Sequence, residues 1–252
     1  MPPSETGDSG VRHPHVVMDL PSRQWKARKI EAVLGLDQIP GPIRMLEVGA
    51  GGGGISHYFG THPTGRFRVD AVDVVDNRLI DAGYEFTLVS DTHLPFDDES
   101  FDIVLSNHVI EHVGAKVQQQ EHVAELRRVM RRGGRGYLAV PNRWMPREPH
   151  YGLLFLSWLP HSWRSPYLRL AGKGDFYDCE PLQMGELEAF LRNAGFVFKN
   201  RGVDALRATF NIERPDRPET ALLRRLPDAI LTPFERIIPT HIYTFAPAES
   251  HV

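Results

Sequence analysis

Residues 45–54 read MLEVGAGGGG, a short apolar run, one acid, and then glycines broken once by alanine. The apolar run fits a buried strand, the glycines a tight loop, and the ISHYF that follows fits the first turns of a helix. Such a strand–loop–helix brings bare backbone close to a ligand and points helix N-terminal amides at it. Three ligands suit that geometry: a dinucleotide, a phosphate and S-adenosylmethionine. The phosphate-loop reading fails because no Gly-Lys-Ser/Thr follows. Gly49, Gly51 and Gly54 do satisfy the dinucleotide pattern G-x-G-x-x-G, which keeps a nicotinamide-dependent oxidoreductase in play.

Outward from this run, strands and helices alternate. Candidate strands are IRMLEV (43–48), FRVDAVD (67–73), FTLVS (86–90), FDIVLSN (101–107), GYLAVP (136–141), FVFKNRGV (196–203) and HIYTFAP (241–247). Most are apolar on both parities, as strands covered on two faces are. Helices are expected over 23–34 with Ser22 as its cap, 53–59, a short stretch after Asp76, 116–131 ending at Gly133-Gly134, and 183–194. The βα repeat predicts an α/β, Rossmann-like doubly wound sheet in one domain, residues 21–252. The period breaks over 142–180 and again over 204–238, which read as lid-like insertions over the ligand edge. Residues 1–20 read as a disordered tail without the basic and apolar regions of a signal peptide.

The bulk numbers narrow the function classes. With 29 basic and 32 acidic residues the 252-residue chain has a formal charge of −3, which gives no basic field for nucleic acid. One cysteine, Cys179, permits no internal disulfide, suits a reducing cytoplasmic setting, and reads as a buried structural thiol. The most apolar segment, GLLFLSWLP (152–160), is far short of a membrane span.

Two acids sharpen the loop reading. Asp73 ends the second candidate strand 20 residues after Gly53, the spacing of a ribose-binding acid, the alternative being that Asp73 or Asp76 caps a following helix. Glu47 lies two residues before Gly49, where a pyrophosphate would be repelled but the ammonium and sulfonium of S-adenosylmethionine would be attracted. Its alternative role is to shape the loop.

Three stretches, MLEVGAGGGG, VDAVDVVDNRL and LPFDDESFDIVLSNHVIEHV (94–113), together resemble the class I S-adenosylmethionine-dependent methyltransferases, in particular the small-molecule group related to ubiquinone and menaquinone biosynthesis. The resemblance covers about residues 43–141, and its third motif is the most specific. It implies a seven-stranded sheet with a final antiparallel strand, and S-adenosyl-L-methionine as cofactor. The cofactor set it implies is Glu47, Gly49, Ala50, Gly51, Gly53, Asp73, Asn107, and, beside the adenine, Asp91, Thr92 and His93. The family often places an acid where this chain has Ser90, so Asp91 takes that role one residue later.

Methyl transfer is an in-line displacement that needs alignment and exclusion of water, and a base only when the acceptor must lose a proton. His108, ending the fourth strand, is the first candidate base, and His150, in the first insertion, the second. Glu111 and His112 read as ties between the helix start and neighbouring loops, and Glu148 as a partner of Arg143 or Arg147. No metal set is expected: His13 and His15, the i, i+4 pair His108 and His112 around Glu111, and His150 show no third ligand at site spacing. The acceptor is expected to be a small molecule, a glycan or a lipid-linked compound. The aromatic and arginine-rich stretch 153–170 and the apolar 221–238 allow peripheral membrane contact. The rival readings are an NAD(P)-dependent oxidoreductase and a non-catalytic cofactor-binding partner protein.

Overall fold

The computed structural model describes residues 19–248, so most of the expected tail and both His13 and His15 lie outside the described residues. Seven strands form one sheet: β1 (Ile43–Val48), β2 (Phe67–Asp73), β3 (Glu85–Leu88), β4 (Phe101–Asn107), β5 (Met130–Pro141), β6 (Phe196–Asn200) and β7 (Thr240–Pro247). The order is β3-β2-β1-β4-β5-β7-β6, parallel throughout except β7, which runs antiparallel to both β5 and β6. The chain steps outward from β1 to β2 and β3, then returns to add β4 on the other side. The crevice between the ends of β1 and β4 is therefore the switch point at which doubly wound sheets bind ligands.

Eight helices accompany the sheet among the described residues: α1 (Leu20–Leu34), α2 (Gly54–Gly60), α3 (Lys116–Val129), α4 (His161–Leu170), α5 (Met184–Asn193), α6 (Gly202–Glu213), α7 (Pro218–Arg225) and α8 (Asp228–Leu231). Alternation along the strands sorts the core into two layers. Met45, Val69, Ile103 and Tyr137 pack with Ala27 and Ile30 of α1, Phe59 of α2 and Ala205 of α6. Leu46, Val72, Val104 and Leu138 face the other way, onto Val123 and Leu126 of α3 and Leu187 and Leu191 of α5. None of the described helices is long and apolar enough to cross a membrane.

Several boundaries differ from the sequence reading. Helix α1 begins at Leu20, with Asp19 in the N-cap position, because Pro21 fits the first turn, where no N–H is needed; Ser22 instead bonds back to the Asp19 carbonyl at 2.9 Å. No helix follows Asp76. Its carboxylate takes the Arg78 backbone N–H at 3.2 Å and the guanidinium at 2.8 Å, and residues 74–84 run in bends and turns. Strand β3 spans 85–88 in place of 86–90. Helix α3 stops at Val129 and β5 starts directly at Met130, pairing with Phe101 before residues 131–134 bulge out and Arg135 meets Ile103. Gly133-Gly134 thus marks a bulge, not a helix cap. Strand β6 ends at Asn200, whose side chain accepts the Gly202 N–H at 2.8 Å and turns the chain into α6.

The first insertion has a small core of its own, Leu156, Leu168, Tyr177 and Cys179, which is why no single period fits it. The second insertion's helix α6 is part of the helical layer, packed against α1. The LPFDDESFD stretch is tied down by α3: Arg128 donates to the carbonyls of Leu94 and Phe96, and Glu125 accepts the Leu94 N–H at 2.9 Å.

Candidate active site

The glycine loop is held by backbone hydrogen bonds and is packed too closely for side chains at two of its glycines. Gly49 and Ala50 donate to the Val72 carbonyl at 2.8 and 3.1 Å, and Gly53 donates to Ala50 at 2.9 Å. Gly53 has φ +78°, and a Cβ there would overlap the Tyr84 hydroxyl and lie 2.5 Å from the Ile80 carbonyl oxygen. At Gly49, φ +83°, a Cβ would run into Val109 at the far side of the crevice.

Asp73 joins this loop directly. One carboxylate oxygen accepts the Gly51 N–H at 2.8 Å and the other accepts the Val74 N–H at 2.7 Å. No helix follows for it to cap, which removes that alternative. Each oxygen accepts one of these N–H groups and keeps further acceptor capacity. The β3 exit lies alongside, since Val89 donates to the Asp73 carbonyl at 2.9 Å. Beyond it, Asp91 is exposed and accepts the His93 N–H at 2.8 Å, a local turn. His93 is exposed as well, its Nδ1 3.2 Å from Glu125. Thr92, between these two exposed residues, is half-buried.

Glu47 is 2% exposed and bonded by the Ser56 hydroxyl of α2. Burial pushes its pKa up to about 8, against the pull of the Ser56 bonds, and the Asp73 charge adds to the rise. The carboxyl is therefore protonated at neutral pH and ties strand to helix beneath the glycines. A group whose folded pKa is raised from 4.5 to about 8 stabilises fully below the lower value, and that stabilisation is lost as pH rises through the upper one. Replacing Glu47 by Gln should remove this dependence. Without cofactor, the variant is expected to gain on the wild type by roughly 3–5 kcal/mol between pH 5 and pH 8, read by denaturant unfolding at each pH. Parallel stability curves would contradict the raised pKa.

Across the crevice, Asn107 ends β4 with its side-chain oxygen buried and without a hydrogen-bond partner among the described residues. His108 follows in the left-handed region, φ +59°, a conformation a non-glycine residue holds only where its surroundings enforce it. Its N–H donates to the Ala139 carbonyl at 2.8 Å, and Nδ1 lies 3.3 Å from Glu111 Oε1. Burial lowers the His108 pKa, Glu111 offsets part of that, and the positive charge of Lys26 lowers it again. The imidazole is thus neutral at pH 7. Glu111 is fully buried; burial raises its pKa, but His108 and His112 outweigh this and keep it ionised.

The sequence reading missed the α1 contribution. Arg23, Lys26 and Lys29 recur at i, i+3 and i+6, a spacing that reads as a solvated basic stripe. Folding instead draws this face toward the crevice: Arg23 packs on Gly54 and acts on Glu47, and burial beside Lys29 and Arg23 lowers the Lys26 pKa to about 7. The second candidate base, His150, is placed differently from expectation. Glu148 holds its Nδ1 at 2.7 Å and also accepts the Tyr151 N–H, so Glu148 pairs with neither Arg143 nor Arg147. The His150 ring packs edge-on against His112, and both reach Cys179, which is buried as expected. Of the i, i+4 pair, His112 thus meets His150 and Cys179 from far along the chain, and His108 is not in that group.

Comparison with known proteins follows this geometry. The family described as methyltransferase domain matches residues 46–138. No curated protein matches the chain. Among solved structures, a chain from the Haloferax volcanii complex of the Trm112 methyltransferase activator with a methyltransferase is similar at 16% identity and TM-score 0.54, covering 91% of this chain and 92% of that one. Burkholderia thailandensis 1,6-didemethyltoxoflavin-N1-methyltransferase, bound to 1,6-didemethyltoxoflavin and S-adenosylhomocysteine, is similar at 16% identity and TM-score 0.51, covering 90% and 79%. The [4+2]-cyclase SpnF is similar at 16% identity and TM-score 0.52, covering 94% and 88%. At these identities the structures speak for the fold alone, and a cyclase among them shows that one fold serves more than one reaction. Residues 46–138 thus match a methyltransferase domain, and the strand order and the glycine loop with its acid give the chain the fold of the class I S-adenosylmethionine-dependent methyltransferases.

Proposed function

We propose that the protein transfers the methyl group to a hydroxyl oxygen of a small acceptor held between the glycine loop, the end of β4 and the first insertion. The observation that carries this reading is the His108–Glu111 pair: a neutral imidazole at the end of β4, oriented through Nδ1 by a buried carboxylate. That arrangement suits removal of a proton from an acceptor that is not nucleophilic enough by itself. An amine or thiolate acceptor would not call for it.

The residues present fit S-adenosylmethionine. Asp73, with free lone pairs beside the glycines, would take the ribose hydroxyls; Asp91, Thr92 and His93 would flank the adenine; and the unpartnered Asn107 oxygen would receive a donor of the cofactor's amino-acid end. When bound, that cofactor supplies an electrophilic methyl on a good leaving group. The chain's own part is to align the acceptor, exclude water beneath the insertion, and hold the departing proton on His108.

A lipid-linked acceptor is favoured over a free polar one by the apolar residues left exposed on both insertions. Leu154, Phe155, Trp158, Trp163 and Leu170 stand on the first, and Leu222, Ile230, Phe234 and Ile237 on the second. The test is incubation of the protein with methyl-labelled S-adenosylmethionine and separate aqueous and lipid extracts of its source cells. Label is expected on oxygen in a product of the lipid extract. A product labelled on nitrogen or carbon would overturn the reading of His108, and one confined to the aqueous extract would overturn the lipid part.

A further inference from the structure

Three segments far apart in sequence meet under the first insertion. Cys179 Sγ lies 3.7 Å from Nδ1 of His112, on the turn after β4, and 3.7 Å from Nδ1 of His150, and one ligand atom from each of the three lies within 4.8 Å of the others. The two imidazoles stand nearly perpendicular, centroids 5.0 Å apart. For zinc bonded to sulfur at about 2.3 Å and to nitrogen at about 2.0–2.1 Å, a tetrahedral S···N edge is about 3.6 Å. The Cys179–His112 separation is already near that value. Glu148 holds His150 Nδ1, so this ring would ligate through Nε2, in the carboxylate–histidine pairing that fixes the tautomer and orientation of metal-bound imidazoles.

A second, independent feature points to a cation. Glu111 is 1% exposed; its Oε1 lies 3.3 Å from His108 Nδ1, and its Oε2 has no hydrogen-bond partner among the described residues. With Glu148, His150 and Cys179 it lines a hollow of about 10 Å³, close to the room one water-sized particle takes. The half-buried Asp178 accepts from the thiol at 3.5 Å and lies outside the lining of this hollow. Buried negative groups facing one small space, with soft sulfur and borderline nitrogen donors at its wall, call for a borderline-soft divalent ion over calcium or magnesium.

We propose that His112, His150 and Cys179 form a binding site for a divalent cation of zinc's class, with Glu111 facing the remaining coordination position. The ion joins the turn after β4 to both ends of the first insertion, and so pins that insertion over the crevice. Binding breaks the Cys179 S–H bond, forms a sulfur–metal bond and releases one proton to solvent. The site shares Glu111 with the His108 pair of the methyl-transfer reading, whereas its three ligands are His112, His150 and Cys179, away from the glycine loop.

The test uses the full chain, stripped with a chelator and titrated with Co²⁺, then with Zn²⁺. One ion per chain is expected, with a thiolate-to-cobalt charge-transfer band that Zn²⁺ removes. Zinc should raise the melting temperature by ~5 °C or more. Cys179→Ser should abolish the band, His112→Asn should weaken binding ~100-fold or more, and Glu148→Gln about 10–100-fold. S-adenosylhomocysteine titration of the stripped wild type, expected to bind normally, separates loss of the metal site from loss of the cofactor site. The absence of saturable Co²⁺ uptake by stripped wild type that still binds S-adenosylhomocysteine would overturn the proposal. So would a charge-transfer band that persists in Cys179→Ser.

Discussion

His108→Gln is expected to lower kcat by roughly 10²–10⁴-fold while leaving S-adenosylhomocysteine affinity within a factor of about three. The split follows from where the side chain sits. Its ring is set by Glu111 at 3.3 Å and by a left-handed backbone closed on Ala139, all on the β4 side of the crevice, whereas the cofactor's loop is built on β1 and β2. Glutamine keeps polarity and approximate size but cannot take a proton at neutral pH. Single-turnover rates with labelled cofactor, beside calorimetric affinities, separate the two effects. Unchanged kcat would remove His108 from the chemistry and leave its strained backbone without a function.

Asp73→Ala should have the largest effect on cofactor binding, a loss of about 100-fold in S-adenosylhomocysteine affinity, or ~3 kcal/mol. The carboxylate has two tasks that fail together. It receives the Gly51 and Val74 N–H groups, which hold the loop in place, and in the proposed reading its remaining lone pairs take the ribose hydroxyls. Charge-assisted bonds of this kind are the stronger class. Asp73→Asn, which keeps one acceptor oxygen, should fall between. An alanine variant that binds S-adenosylhomocysteine within threefold of wild type would show that the loop stands without this acid.

How much of this was legible follows from what each residue type can signal. β1, β2 and β4 were readable to the residue, because strands buried on both faces leave continuous apolar runs ended by glycine or a polar cluster. The α3–β5 junction was not, since Val129 and Met130 continue a helical apolar period while the backbone has already turned into a strand. The turn after Asp76 looked like a helix start because an aspartate serves equally as a cap and as the anchor of an arginine fork. In the site, glycines and Asp73 carry their own spacing signal, and His108 is a candidate by its place at a strand end.

Lys26 was missed because a basic residue on an amphipathic helix reads as solvated until its tertiary neighbours are known. The meeting of His112 with Cys179, 67 residues later, leaves no trace in local pattern at all. It depends on how the first insertion folds back, and that insertion has its own small core with no period shared with the sheet.

The central claim, that the glycine loop and Asp73 serve S-adenosylmethionine and not a dinucleotide, is tested most directly by calorimetric titration of the full chain with S-adenosylhomocysteine and, in parallel, with NAD. The account predicts saturable heat at one S-adenosylhomocysteine per chain, weakened in Asp73→Ala, and none with NAD. Saturable binding of NAD alone would contradict it.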